Sequence, residues 1–100
     1  MKKIVIFGAG LSATYLINYL EDNAQAGGWE LTIIDRDIEL AMSKCHLPTT
    51  VCIELDIKDN AKVAAEIAGS SLVVSMLPAT LHITIAKIGL ALGIHLATAS

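Results

Sequence analysis

Gly8, Gly10 and Asp35 are the residues whose types and spacing could do chemistry. The stretch "IVIFGAGLSAT", residues 4 to 14, ends an apolar run in Gly-Ala-Gly and passes at once into a helical pattern. In a strand–loop–helix turn the first glycine permits the tight bend. The second, with no Cβ, lets backbone approach a pyrophosphate. The helix that follows offers free N–H groups and the positive end of its dipole to phosphate. Ser12 can add a hydroxyl contact in that first turn. The third position of such a fingerprint sets how closely helix and strand pack. Ala13 stands there, which predicts a helix shifted slightly outward.

A glycine loop alone is a weak signal, and Asp35 supplies context at the end of the second apolar run. Its carboxylate can accept hydrogen bonds from an adenosine ribose, which leans the reading toward NAD. Arg36 beside it can bind a 2′-phosphate, which keeps NADP open. The plainer account of Asp35-Arg36-Asp37 is a solvated turn that caps a helix. Asp56 follows the third apolar run, where adenine is expected, or else is a turn acid. Ser75 and Pro78 follow the fourth and are placed along the cofactor path, with Pro78 also suited to a helix start. His82 reads as a surface residue, and His95 carries no derivable role. Tyr15 and Tyr19 read as packing residues. No residue is assigned as catalytic. Cys45 and Cys52 fit no zinc spacing, so no metal site is expected. Cys52 reads as a small buried hydrophobe.

These residues need a scaffold, and the chain alternates strand and helix signals throughout. "KIVIFG" is a strand buried on both faces. From Leu11 to about Asn23 the pattern is helical, with Ala13, Leu16, Ile17 and Leu20 inward and Asn18, Glu21 and Asp22 off that face. Gly27-Gly28 stops it. "ELTIID" is the second strand. A short helix near Asp37 turns Ile38, Ala41 and Met42 inward. "TVCIEL" is the third strand. Asp59 caps a helix with Val63, Ala64 and Ile67 inward, and Gly69 stops it. "SLVVSM" is the fourth strand. Pro78 opens a helix whose stripe is Leu81, Ile85, Ile88 and Leu92, Gly93 ends it, and "IHLATAS" opens a fifth strand. This alternation predicts an α/β domain: a doubly wound parallel sheet of about five strands in the order 3-2-1-4-5, with helices on both faces.

The chain has 100 residues, 54% apolar and 17% charged, with a net charge of −3. That is one small domain, and more apolar than such a domain needs alone. The fifth strand would be an open apolar edge, which invites pairing or covering. Both features predict the front part of a longer chain, or self-association. The acidic balance gives no reason to expect nucleic-acid binding. No apolar run approaches the roughly 20 residues of a membrane span. The short basic-then-apolar start flows into the glycine turn, so it reads as a first strand in a cytoplasmic protein.

The stretch "VVSMLPATLHITIAKIGLALGIHLATAS", with "KKIVIFGAG" and Leu55-Asp56, resembles the saccharopine dehydrogenase family across essentially the whole chain. The resemblance implies the NAD(P)-binding Rossmann domain of an oxidoreductase acting on amino-acid C–N bonds. It places Gly8, Gly10, Leu11 and Ser12 on the pyrophosphate and Asp35 on the adenosine ribose. Asp56 and Ile57 would flank adenine, and Ser75, Met76, Leu77 and Pro78 would approach the nicotinamide side. Thr98 and Ser100 would lie at the cofactor-facing end of the fifth strand. The family continues into a substrate domain that these 100 residues lack, so the chain by itself is expected to bind cofactor without turnover. The rival readings are a nucleotide-sensing regulatory domain of a potassium-transport system and a Rossmann scaffold without ligand.

Overall fold

The computed structural model describes residues 2–98. Five strands, β1 (Lys2–Phe7), β2 (Trp29–Asp35), β3 (Val51–Glu54), β4 (Leu72–Ser75) and β5 (Leu96–Thr98), form one sheet. All pairings are parallel, and the order is β3-β2-β1-β4-β5, as the alternating pattern predicts. The helices are α1 (Ala13–Asp22), a single turn α2 (Ala24–Gly27), α3 (Ile38–Lys44), α4 (Asn60–Ile67) and α5 (Ala79–Ala91).

The pleat sorts each strand between two cores. Ile4 and Ile6 pack with Ala13, Ile17, Leu20 and Ala41 under α1 and α3. Val5, Phe7 and Val73 pack with Val63, Ile67 and Ile85 under α4 and α5. β1 is therefore buried on both faces, which is why it reads as an unbroken apolar run. Ala13 is 1% exposed: its methyl lies inside the first core. Asp37 caps α3 through Leu40 N–H at 3.1 Å, and Asp59 caps α4 through Lys62 N–H at 3.2 Å. Pro78 stands at the N-cap of α5, not inside it.

Several sequence expectations fail for stated reasons. Ala41 faces inward as expected, but Met42, one position further round α3, is exposed. Leu92 is exposed, because α5 ends at Ala91 and Leu92 is its C-cap. Tyr15 and Tyr19 are exposed on the outer face of α1, not packed. The largest departure is Glu21, expected off the buried face yet only 5% exposed. Its carboxylate accepts from the N–H groups of His46 and Leu47 and from the Thr50 hydroxyl at 2.7–3.1 Å. It thereby satisfies the backbone of the loop between α3 and β3. Cys52 is half-buried and lies against Cys45 across that loop. Their Cα atoms are 7.8 Å apart, outside the roughly 4.4–6.8 Å usual for a disulfide.

Candidate functional site

The Gly loop lies where β1 ends and α1 begins. Gly8 has φ +96°, a conformation L side chains rarely adopt. A Cβ there would come within 3.3–3.4 Å of Leu77 and the Met76 backbone. Gly10 differs: its φ is not positive, it is exposed, and a Cβ would meet no protein atom within 4 Å. The fold requires glycine at 8 and leaves the space above Gly10 open. Among the described residues, the N–H groups of Gly10, Leu11 and Ser12 donate to nothing in the chain. Leu11 is 90% exposed beside them. Three unpaired N–H groups at the start of a ten-residue helix, under a position without a Cβ, form a cradle that fits a phosphate.

Both neighbouring strands brace this loop. From the β2 side, Gly8 N–H donates to Ile34 O at 2.8 Å, and Asp35 Oδ2 accepts from Ala9 N–H at 2.7 Å while its Oδ1 accepts from Asp37 N–H at 2.9 Å. From the β4 side, Met76 N–H donates to Phe7 O at 2.8 Å. The expected ribose acceptor thus has both carboxylate oxygens engaged by the chain. Asp35 holds β2 to the Gly loop, which no sequence spacing reveals. Asp35→Ala should therefore cost roughly 2–3 kcal/mol of stability, since it orphans the N–H of the fully buried Ala9. It should weaken NADH and NADPH alike. Denaturant unfolding and calorimetry on one preparation check this; unchanged stability with loss of NADH alone would return Asp35 to the ribose.

A pocket of about 140 Å³ opens beside Asp35. Ile34, Leu55, Ile57, Leu77 and Leu81 form its apolar walls, and Asp35, Arg36, Asp56 and Lys58 stand around them. Apolar walls with a few polar groups at the mouth suit a flat heteroaromatic ring. Asp56 is also a turn acid, its Oδ1 accepting from Lys58 N–H at 2.9 Å, so the two readings of Asp56 coexist. Arg36 is exposed and makes no ion pair among the described residues. Lys58 and Leu81 also line the pocket; Leu81 reads from sequence only as part of the α5 stripe, and no motif marks Lys58.

On the far side of the loop, Met76 and Leu77 stand where a Cβ on Gly8 would meet them, and Pro78 is exposed. Ser75 departs from its expected place. It is fully buried, and its Oγ is hydrogen-bonded to His82 Nδ1 at 2.6 Å, so the hydroxyl faces α5 and not the crevice. His82, expected on the surface, is 8% exposed. Thr98 ends β5 and is exposed; Ser100 lies outside the described residues. Among the described residues no group of three or more His, Cys, Asp or Glu could hold a metal. No helix among the described residues is long and apolar enough to cross a membrane.

The comparisons agree with this geometry. Residues 4–100 match the family described as saccharopine dehydrogenase NADP binding domain. A saccharopine dehydrogenase (NADP+, L-glutamate-forming) of Pyricularia oryzae is 29% identical over 99% of this chain and 21% of its own length. Its Schizosaccharomyces pombe counterpart is 27% identical over 100% of this chain and 22% of its own. The chain thus spans about a fifth of these relatives. Among solved structures, apo saccharopine dehydrogenase (L-Glu forming) from Saccharomyces cerevisiae superposes with a TM-score of 0.88 at 23% identity, over 100% of this chain and 22% of that one. A short-chain dehydrogenase/reductase from Veillonella parvula in complex with NADP gives 0.77 at 17% identity, over 97% of this chain and 46% of that one. At these identities the structural likeness speaks to the fold. Nothing in these matches supports the potassium-transport reading. A braced glycine loop, an open cradle above Gly10 and a match over nearly the whole length converge: the chain belongs to the saccharopine dehydrogenase NADP-binding domain family.

Proposed function

We propose that this chain binds NADPH or NADP+ across the C-terminal ends of β1, β2 and β4. The observation that carries the reading is the division of labour at Asp35-Arg36. Asp35 already accepts one of the chain's own N–H groups on each oxygen, so part of the accepting capacity that leaned toward NAD is used internally. The exposed Arg36 guanidinium beside it is free to meet a 2′-phosphate. In this reading Gly10, Leu11 and Ser12 take the pyrophosphate and the pocket between Ile57 and Leu81 takes adenine. The far end of the cofactor lies toward Met76, Leu77 and Thr98. Bound there, the cofactor would supply hydride transfer.

The relatives' names suggest the reaction served: oxidation or reduction at an amino-acid C–N bond, as in saccharopine metabolism. On this proposal the chain is the N-terminal cofactor-binding part of a longer oxidoreductase, and the substrate is held by residues outside it. Hydride transfer requires a substrate fixed against the nicotinamide, so the chain alone should turn over neither saccharopine nor lysine.

Calorimetric titration with NADPH and NADH tests the reading. NADPH should bind at least roughly tenfold tighter, the worth of one charge-assisted contact. Equal or tighter NADH binding would remove the phosphate role from Arg36. Binding of neither by a folded chain would overturn the proposal.

A further inference from the structure

We infer that the buried Ser75–His82 pair is a clasp that sets the wall of the dinucleotide crevice, making His82 a positioning residue. The inference rests on the dinucleotide reading and adds to it a residue that touches no ligand. The turn from β4 to α5 comprises Met76, Leu77 and Pro78. Met76 and Leu77 stand directly over Gly8, within 3.3–3.4 Å of where a Cβ on it would lie, and Leu77 also walls the pocket beside Asp35. A shift of this turn would therefore move the pocket wall and the loop together. Yet α5 begins at Pro78 with no side-chain cap. The turn's own ties are backbone bonds, Met76 N–H to Phe7 O before it and Leu81 N–H to Pro78 O after it.

The side-chain tie across it is Ser75 Oγ to His82 Nδ1, 2.6 Å, joining the last residue of β4 to the first turn of α5. Val73 and Ser75 alternate onto the face that α5 covers, so the bond forms inside the second core, away from water. The ring's other nitrogen, Nε2, is buried with no partner among the described residues. The ring is thus held by its bond to Ser75. A sealed polar pair is costly to half-remove, and here it is placed where it fixes one strand–helix junction.

The test separates positioning from plain stability. It compares Ser75→Ala, His82→Leu, the Ser75→Ala/His82→Leu double variant and His82→Asn, each by thermal melting and NADPH calorimetry. Each single variant to an apolar residue leaves one buried polar partner orphaned, so Tm should fall and NADPH affinity should drop roughly tenfold. The double variant removes both polar partners, so Tm should recover. Its affinity should stay about tenfold weak, because the clasp is gone. Asn offers a polar atom where Nδ1 stood, so His82→Asn should keep both Tm and affinity near the parent's. Affinity that recovers with Tm in the double variant, or that never changes, would overturn the clasp while leaving NADPH binding intact. A parent chain that binds no NADPH would instead overturn the reading beneath it.

Discussion

Gly10→Val should abolish dinucleotide binding, a loss of at least roughly 100-fold, while stability stays within about 0.5 kcal/mol of the parent. The two halves of this result come from one geometry. Gly10 is exposed, its φ is available to any residue, and a Cβ meets no protein atom within 4 Å. The protein therefore has little reason to resist valine. A phosphate does, because the free N–H groups of Gly10, Leu11 and Ser12 can reach it only where the backbone is bare. Losing two hydrogen bonds to a charged group costs about 3 kcal/mol or more, which is over 100-fold in affinity. Gly8 is the contrast: its positive φ and the Leu77 and Met76 contacts make glycine a demand of the fold itself. Melting curves and calorimetry of the two valine variants distinguish these demands. A Gly10→Val chain that still binds would mean the loop is only a turn.

Arg36→Ala should weaken NADPH by roughly 10- to 100-fold and leave NADH within about twofold. The two cofactors differ by one phosphate, and a guanidinium–phosphate contact is worth about 1.5–3 kcal/mol. The selectivity follows from Asp35. Its oxygens are held by Ala9 and Asp37 N–H groups, so removing Arg36 does not release a new ribose acceptor that would favour NADH. Lys58 lines the same pocket and keeps some positive potential there, which bounds the loss. The NADPH preference should also shrink as salt is raised, since an exposed charge pair is screened. An equal loss for both cofactors would show that Arg36 shapes the pocket without reading the phosphate.

The architecture is legible in the sequence because its signals are local. Strands buried on both faces must be apolar runs, Asp37 and Asp59 cap the helices they precede, and Gly28, Gly69 and Gly93 take positive φ where elements end. The site is legible in part for the same reason: Gly8 and Gly10 are backbone requirements. What escapes is the choice of partner. Glu21 looks solvent-facing on a helical wheel, because the N–H groups it satisfies belong to a loop 25 residues away and backbone donors leave no trace in sequence. His82 lies off the apolar stripe of α5, but that helix is apolar on most sides, so a position off the stripe need not face water. Its partner Ser75 sits on the strand beneath. Asp35 is found by spacing, yet its occupation by Ala9 and Asp37 is visible only in three dimensions.

The strand order also fixes a sequence of assembly. β1 lies between β2, which follows it closely, and β4, which pairs Ile4 with Leu72. During synthesis β1, β2 and β3 can pair while β4 has yet to emerge, leaving one edge of β1 bare. Contacts across so long a stretch of chain form slowly, and such unpaired edges are where a nascent chain sticks to others. The glycine loop and its Asp35 brace can thus exist before the Leu77 wall arrives, and the crevice closes only when the last third of the chain is delivered.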